Sequence, residues 1–480
     1  MKTLINRALN TAQVRGATYA DARIVHTTTE DITVKNGRPE AIRQRENQGF
    51  GVRVIVDGAW GFAASATLTA DEVDRVAAQA VTIARASARV KTDDVHLGPL
   101  KVHVGTYRTP VQVDPFAVSL ETKIALLLAA DEAMRGVPGI GVTQANLAFV
   151  RVRKTFGSTE GAFIEQDLVE SGAGIEALAV AEGEMQQRSY PNSFGRDQRT
   201  GGYEVIEEMD LVGNAQRIAE ESVQLLSAKQ CPPGVRDIIL AGDQLALQVH
   251  ESCGHPTELD RVFGTEAAYA GTSFLTPDKL GTFRYGSDIV NIVADATTPG
   301  GLGTFGYDDE GVPAQRSPLV QNGLFVGYLT SRETAARLGL RSNGTMRADG
   351  WNRIPIIRMT NINLEPGDWT LEDLIADTED GIFMQTNKSW SIDDKRLNFQ
   401  FGVEIAWEIQ GGKLGRMLKN ATYTGLTPQF WAGCDAICNA EHWRVWGTPN
   451  CGKGEPGQVA HVGHGAAPAR FRNVRVGVTG

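Results

Sequence analysis

The segment at 245–255, LALQVHESCGH, sets His250, Glu251 and His255 in the pattern His-Glu-x-x-x-His behind an apolar run. Composition alone predicts about 0.008 such matches in this chain. Two neutral imidazoles bind a divalent metal well, and a glutamate beside the first can move protons. The shorter spacing His-Glu-x-x-His is absent, because Gly254 stands where its second histidine belongs. In an α-helix, residues four apart share a face, whereas residues five apart are rotated by roughly 140°. Both rings can reach one ion only if the backbone leaves α geometry between them. A local π-turn restores an i to i+5 relation, and termination at Gly254 ahead of Pro256 would serve equally. His250 is therefore expected on the last full turn of a helix and His255 just past its end.

A catalytic zinc site needs a third protein ligand and an open position. Cys253, Glu258, Asp260, Cys451, His442, His461 and His464 are the candidates. The segment at 447–454, GTPNCGKG, reads as a Gly/Pro-rich loop and favours Cys451, since its backbone can approach an ion closely. A thiolate ligand donates more electron density than a carboxylate and leaves more of the activation of water to Glu251. The alternative is two histidines and a glutamate on a polar helix end with no metal.

The elements that must position these residues read as α+β. Residues 4–12 suit a short helix and 20–28 a strand. The dipeptides Asn36-Gly37 and Asp57-Gly58 mark two hairpins, the second between strands at 50–56 and 60–64. Val73, Val76, Ala77, Ala80, Val81 and Ala84 recur at helical spacing. A second helix is expected over 114–134, strands at 141–155, 162–170 and 174–184, and a helix over 207–229. Cys231-Pro232-Pro233-Gly234 interrupts regular structure. The expected division is an N-terminal α+β domain, 1–230, with antiparallel sheet and helices, and a C-terminal mostly antiparallel β domain, 231–480, carrying the metal-binding helix. That second part opens with a strand at 235–240, a helix capped by Asp243, and later strands including 398–408 and 471–478.

Other motifs have plainer readings. Gly301-x-Gly303-x-x-Gly306 matches a dinucleotide fingerprint, but the next residues, Tyr307 to Pro313, cannot open a helix, so a flexible loop is expected. Residues 447–453 fit Gly-x-x-x-x-Gly-Lys without the Ser or Thr or the helix that a phosphate loop requires. Cys434, Cys438 and His442, four apart, could line one helix stripe around a structural zinc, though buried thiols are the simpler reading. Asp308, Asp309 and Glu310 read as a solvated loop, with a contact to substrate as the alternative. No Gly-x-Ser-x-Gly elbow is present.

The chain has 480 residues, a net charge of −10, 22% charged and 7% aromatic residues, the make-up of a globular protein and not a disordered one. Its acidity argues against generic binding to nucleic acid or anionic membranes. No apolar run approaches the ~18 residues of a membrane span. The first thirty residues lack an apolar stretch of the kind a signal peptide needs. Five unevenly spread cysteines do not make a disulfide framework, which fits a reducing, cytoplasmic setting. The 53 glycines point to many turns.

Taken together, the motifs resemble the TldD/PmbA family, specifically its TldD-type metallopeptidase subunit. The likeness runs through GFGVRVIVDGAWGFAA (49–64), HESCGH (250–255), FGYDDEGVPAQRSPLVQNG (305–323), RADGWNRIPIIRMTNINLEPG (347–367) and NCGKGEPGQ (450–458). The tail at 462–477 with His464 also looks family-like. The resemblance implies a zinc-dependent peptidase acting on unfolded or short peptides, with His250, His255 and Cys451 as metal ligands and Glu251 as the catalytic glutamate. It also implies a homodimer, or a heterodimer with a paralogous subunit that lacks the metal motif. Asp308, Asp309, Glu310 and His464 are carried as candidate substrate contacts. Substrate is expected to add as a β-strand. Two competing readings are a non-catalytic peptide-binding or partner subunit with structural or no metal, and a hydrolase using Cys253 or Cys451 as nucleophile.

Overall fold

The computed structural model describes residues 1–181, 183–269, 271–454 and 457–477; the expected strand end at Val478 lies outside them. The fold is α+β. Asn36 and Gly37 have φ of 48° and 78°, and Asp57 and Gly58 have 51° and 71°. Both central residues of each turn are thus left-handed, the geometry that matches strand twist in two-residue hairpins. These turns join Tyr19–Lys35 to Arg38–Val56 and Arg38–Val56 to Ala59–Ser65. The first sheet has eight strands, with Tyr19–Lys35 at its middle against Ile140–Ser158, then Phe163–Ala181. Helices Lys2–Val14 and Ala70–Ser87 cover one part of it through Ile5, Val52, Val76 and Val81. Leu120–Arg135 and Leu211–Ser227 cover another part through Leu127, Leu147, Ile175 and Ile218.

Three expectations need correction. The strands at 162–170 and 174–184 are one continuous strand, with Gly172 and Gly174 paired in register to Ala148 and Asn146. Glycine is required there for closeness: a Cβ on Gly174 would lie 2.0 Å from the Gly195 carbonyl oxygen. The helix expected over 207–229 breaks in two at Asp210, which is left-handed (φ 44°) and whose carboxylate accepts from the Gly213 amide. Asp243 is not the cap of its helix; Ala241 is, and the Asp243 carboxylate takes the Thr386 hydroxyl at 2.7 Å.

In the C-terminal half, Gly234–Leu240 pairs in parallel with Asp380–Ile392 and antiparallel with Ala469–Val476. From there the ladder runs antiparallel through Thr422–Leu426 and Asn398–Gln410 and returns to Asp380–Ile392. Five strands thus close on themselves, which leaves that ring without a free edge. The two-residue strand Lys229–Gln230 pairs in parallel with Lys413–Lys419 at the outer side. Inside, Ile238, Met384, Phe401, Tyr423, Trp431 and Phe471 form a core with Leu245, Val249 and Cys253. Those last three belong to the helix Gly242–Val249 and its continuation, so the segment of interest is anchored by its own apolar face.

The acidic trio is not a solvated loop. Asp308, Asp309 and Glu310 are 2%, 1% and 2% exposed. Asp309 meets Arg23 and Lys154, Glu310 meets Arg53, and Asp308 accepts from the amides of Glu310, Val312 and Met346. Burial raises the pKa of Asp309, but Lys154 and Arg23 outweigh it and hold the group at about 2. Asp309 and Glu310 tie the C-terminal half to the first sheet, while Asp308 braces their own turn. Residues 301–305 of the Gly-rich stretch are buried too and not a flexible surface loop; a Cβ on Gly303 would lie 2.3 Å from Thr360 backbone atoms. Among the described residues no helix is long and apolar enough to cross a membrane.

Candidate metal and catalytic site

The helix Gly242–Val249 passes directly into a π-helical turn over His250–Gly254, followed by a 3₁₀ turn, His255–Thr257. The His255 amide donates to the His250 carbonyl, an i to i+5 bond, the first of the two solutions that the spacing allows. The backbone therefore widens by one residue per turn instead of ending. Gly254 keeps helical dihedrals (φ −56°, ψ −65°), so its glycine is needed for space: a Cβ would lie 2.3 Å from the sulfur of Met359. The two imidazoles end up with centroids 4.9 Å apart and planes at 86°.

Cys451 arrives from the hairpin of Arg444–Lys453 with Gln458–Ala466. The register shifts between Thr448 and Cys451, where Pro449 has no amide to give to the ladder, and Cys451 then pairs with Ala460. Its Sγ lies 3.4 Å from Nε2 of His250 and 3.7 Å from Nε2 of His255. One donor atom from each residue falls within a common 4.8 Å, and the three are buried. A tetrahedral ion with Zn–S of about 2.3 Å and Zn–N of about 2.05 Å has an S···N edge of about 3.6 Å, so the donor set fits.

The protonation states suit the same use. Burial lowers the pKa of His250 and His255, keeping both rings neutral. Burial also pushes the thiol of Cys451 up, but the Arg358 guanidinium, donating to Sγ at 3.0 Å, and His255 outweigh it, leaving the thiol below its ordinary value. The other four cysteines are raised by burial, Cys231 to about 11 and Cys253 to about 12, and none is disulfide-bonded. Only Cys451 has the environment of a thiolate.

Behind each ring stands an orienting partner. Nδ1 of His255 is 2.9 Å from Oε2 of Glu258, and Nδ1 of His250 is 2.7 Å from Nε2 of His464. Glu258, weighed in the sequence as a ligand, lies instead on the far side of His255 and near Arg261 and Lys453. His464, expected as a contact to substrate, is 0% exposed and lies behind His250. Asp260 holds Lys453 at 2.7 Å. His461 pairs with Glu170 at 2.5 Å in a different cavity, of about 310 Å³. His442 accepts from the Leu371 amide, and Cys434 opens a strand, Cys434–Ile437, and not a helix stripe. Among the described residues those three do not gather as possible metal ligands.

Glu251 faces a cavity of about 260 Å³ that also reaches His250, His255 and Cys451. Its Oε2 takes a 2.5 Å hydrogen bond from Arg396. Arg396 and Arg358 were not legible as site residues. Each lies far along the chain from its partner, 145 and 93 positions respectively; Arg396 sits in a segment without a motif, and Arg358 in the family-like block 347–367, where nothing singles it out from its neighbours.

These features, an α+β chain with a π-turn carrying two histidines and a glutamate and a distant cysteine closing the set, define a possible metal centre with a carboxylate beside it. Family models described as PmbA/TldA metallopeptidase domain 1, central domain and C-terminal domain match residues 20–84, 113–229 and 233–477. The chain belongs to the PmbA/TldD metallopeptidase family. A metalloprotease of Methanocaldococcus jannaschii is 31% identical over 94% of this chain and 95% of its own length. A protein named zinc metalloprotease TldD homolog, from Saccharolobus solfataricus, is 23% identical over 97% of this chain and 98% of its own. The crystal structure of TldE from Thermococcus kodakarensis shares the fold, with a TM-score of 0.73 at 16% identity, covering 99% of this chain and 100% of that one.

Proposed function

We propose that this chain is a zinc-dependent peptidase that hydrolyses peptide bonds in unfolded or short peptides. The observation that carries the reading is the placement of the Cys451 sulfur 3.4 and 3.7 Å from the two Nε2 atoms. His250, His255 and Cys451 would hold the ion, and zinc is the metal in the name of the Saccharolobus solfataricus relative. A divalent ion held by these three residues would supply Lewis acidity towards a carbonyl oxygen and a water.

Glu251 does the proton work. Arg396 fixes its Oε2, and among the described residues no hydrogen bond occupies Oε1. Oε1 takes the proton of the attacking water and returns it to the leaving amine. Glu258 and His464 hold the two rings at Nδ1, which leaves both Nε2 atoms facing Cys451 and free to ligate an ion.

Binding of extended peptide is favoured by the strand Arg444–Lys453. It is paired only to Gln458–Ala466 among the described residues, and residues 447–452 line the cavity. Asp197 takes the Gly447 amide and Arg358 donates to the Cys451 carbonyl, so the edge between them, residues 448–450, is the part that can accept main chain from an unfolded segment.

Glu251→Gln tests the reading. The variant should keep one zinc per chain and lose peptide cleavage, while chelation should abolish cleavage by the parent. A zinc-loaded parent unable to cut an unfolded protein, or a variant with full activity, would favour the non-catalytic partner subunit instead.

A further inference from the structure

The cavity beside Glu251 is unevenly charged. Two guanidiniums line it, those of Arg196 and Arg396, together with two carboxylates, Glu251 and Asp243. Arg396 is spent on Glu251, and Asp243 is taken by Thr386 and the Gln244 amide. The Arg196 guanidinium forms no hydrogen bond and no ion pair among the described residues; it lies 6.0 Å from the ring centroid of Phe194. Burial lowers its pKa, so holding its charge there costs free energy with no anion to offset it.

The neighbours of Arg196 point the same way. Phe194 takes a left-handed conformation (φ 59°, ψ 29°), a costly one for an aromatic residue. That turn sets its ring, 40% exposed, edge-on to Trp390, 44% exposed, with centroids 6.1 Å apart. Trp390 comes from the C-terminal ring of strands and Phe194 from the first half, and both line the cavity. Two rings left in water next to an unpaired cation form an apolar clamp with an anion anchor.

Resting on the peptidase reading, we propose that Arg196 binds a carboxylate of the substrate, with Phe194 and Trp390 gripping the adjoining apolar chain. The preferred substrates are then peptides that carry an acidic side chain, or a free C-terminal carboxylate, close to the bond that is cut. Both sources present the same planar anion to a guanidinium fork.

Three dye-labelled octapeptides of one apolar sequence distinguish the sources: one with an internal Glu and an amidated end, one with no acid and a free end, and one with neither. Their affinities are read by fluorescence anisotropy on the full-length, zinc-loaded Glu251→Gln protein, which cannot consume them. At least one carboxylate peptide should bind about tenfold more tightly than the blocked one. Arg196→Gln should bring the three affinities within about twofold of each other, and Arg196→Lys should keep part of the preference, which a packing role would not. Preference for the internal acid alone assigns the side chain, and preference for the free end alone assigns the C-terminus. Equal affinities, a preference that survives Arg196→Gln, or no binding of any peptide would overturn the proposal. The wild-type protein separates this from the peptidase reading. Cleavage without carboxylate preference sinks the anchor alone, and an Arg196-dependent preference without cleavage sinks the peptidase alone.

Discussion

Nδ1 of His250 lies 2.7 Å from Nε2 of His464, 214 positions further along the chain, with the rings 4.7 Å apart at 74°. Nε2 of His250 faces Cys451, so Nδ1 carries the proton and His464 accepts it. Removing the acceptor frees the ring to turn and leaves a buried N–H without a partner. His464→Ala should therefore weaken zinc binding about 10- to 100-fold, and His464→Gln, whose amide oxygen can accept, should recover part of it. Competition with a chromogenic chelator reads the affinity. Equal affinities in all three proteins would leave His464 a packing residue only.

Arg396 and Glu251 give a second prediction. A charge-assisted bond from a guanidinium that is mostly out of water contributes about 1.5–3 kcal/mol. Here its effect is to pin one carboxylate oxygen and so aim the other. Arg396→Gln should keep the metal and lower kcat by about tenfold or more, because a freely turning Glu251 meets water in the right geometry less often. Peptidase assays beside metal analysis check it. A loss of zinc in step with activity would count against a purely orienting role.

Much of the centre is written locally. The five-residue spacing of His250 and His255 calls for a departure from α geometry, met here by the π-turn, and depends on neighbours in sequence. The same holds for the Asn36-Gly37 and Asp57-Gly58 hairpins. The Gly/Pro-rich segment around Cys451 reads as a loop but is a strand with a register shift, held by its pairing with Gln458–Ala466. What could not be read depends on partners brought in by the fold. Asp308, Asp309 and Glu310 look like a solvated run because sequence composition does not reveal Arg23, Arg53 and Lys154 waiting in the first sheet. Glu258 looks like a candidate third ligand because spacing alone does not tell which side of His255 it occupies. The break at Asp210 rests on one left-handed residue inside an otherwise helical pattern.

Gly254→Ala isolates the π-turn. The added carbon would lie 2.3 Å from Sδ and 2.9 Å from Cε of Met359, so Met359 or the turn must move. Overpacking of this kind costs about 1–3 kcal/mol of stability. Since Gly254 lies between the two histidines, the displacement should also weaken zinc binding about tenfold or more. Gly254→Ala with Met359→Ala should restore much of the affinity by opening space. Failure of the double variant to recover would mean that glycine is needed there for another reason.

Glu404 carries the last prediction, on the pH dependence of stability. It is 2% exposed, and burial pushes its pKa up from 4.5 to about 7, against the pull of Arg188 and Ser189. Its oxygens accept from Arg188, the Ser189 amide and the Ser189 hydroxyl, across the contact between the two halves of the chain. Between about pH 4.5 and 7 the folded state keeps a proton that the unfolded state has released. The group's contribution is therefore full below about 4.5 and is lost as pH rises through about 7, a change on the order of 3 kcal/mol. Glu404→Gln cannot titrate, and Arg188 retains Glu221 at 2.9 Å as a counter-ion. Urea midpoints for the two proteins from pH 4.5 to 8 should show the parent losing stability relative to the variant as pH increases, whatever their offset at pH 4.5. Parallel curves across that interval would mean that Glu404 is ionised in the fold throughout, with Arg188 fully compensating its burial.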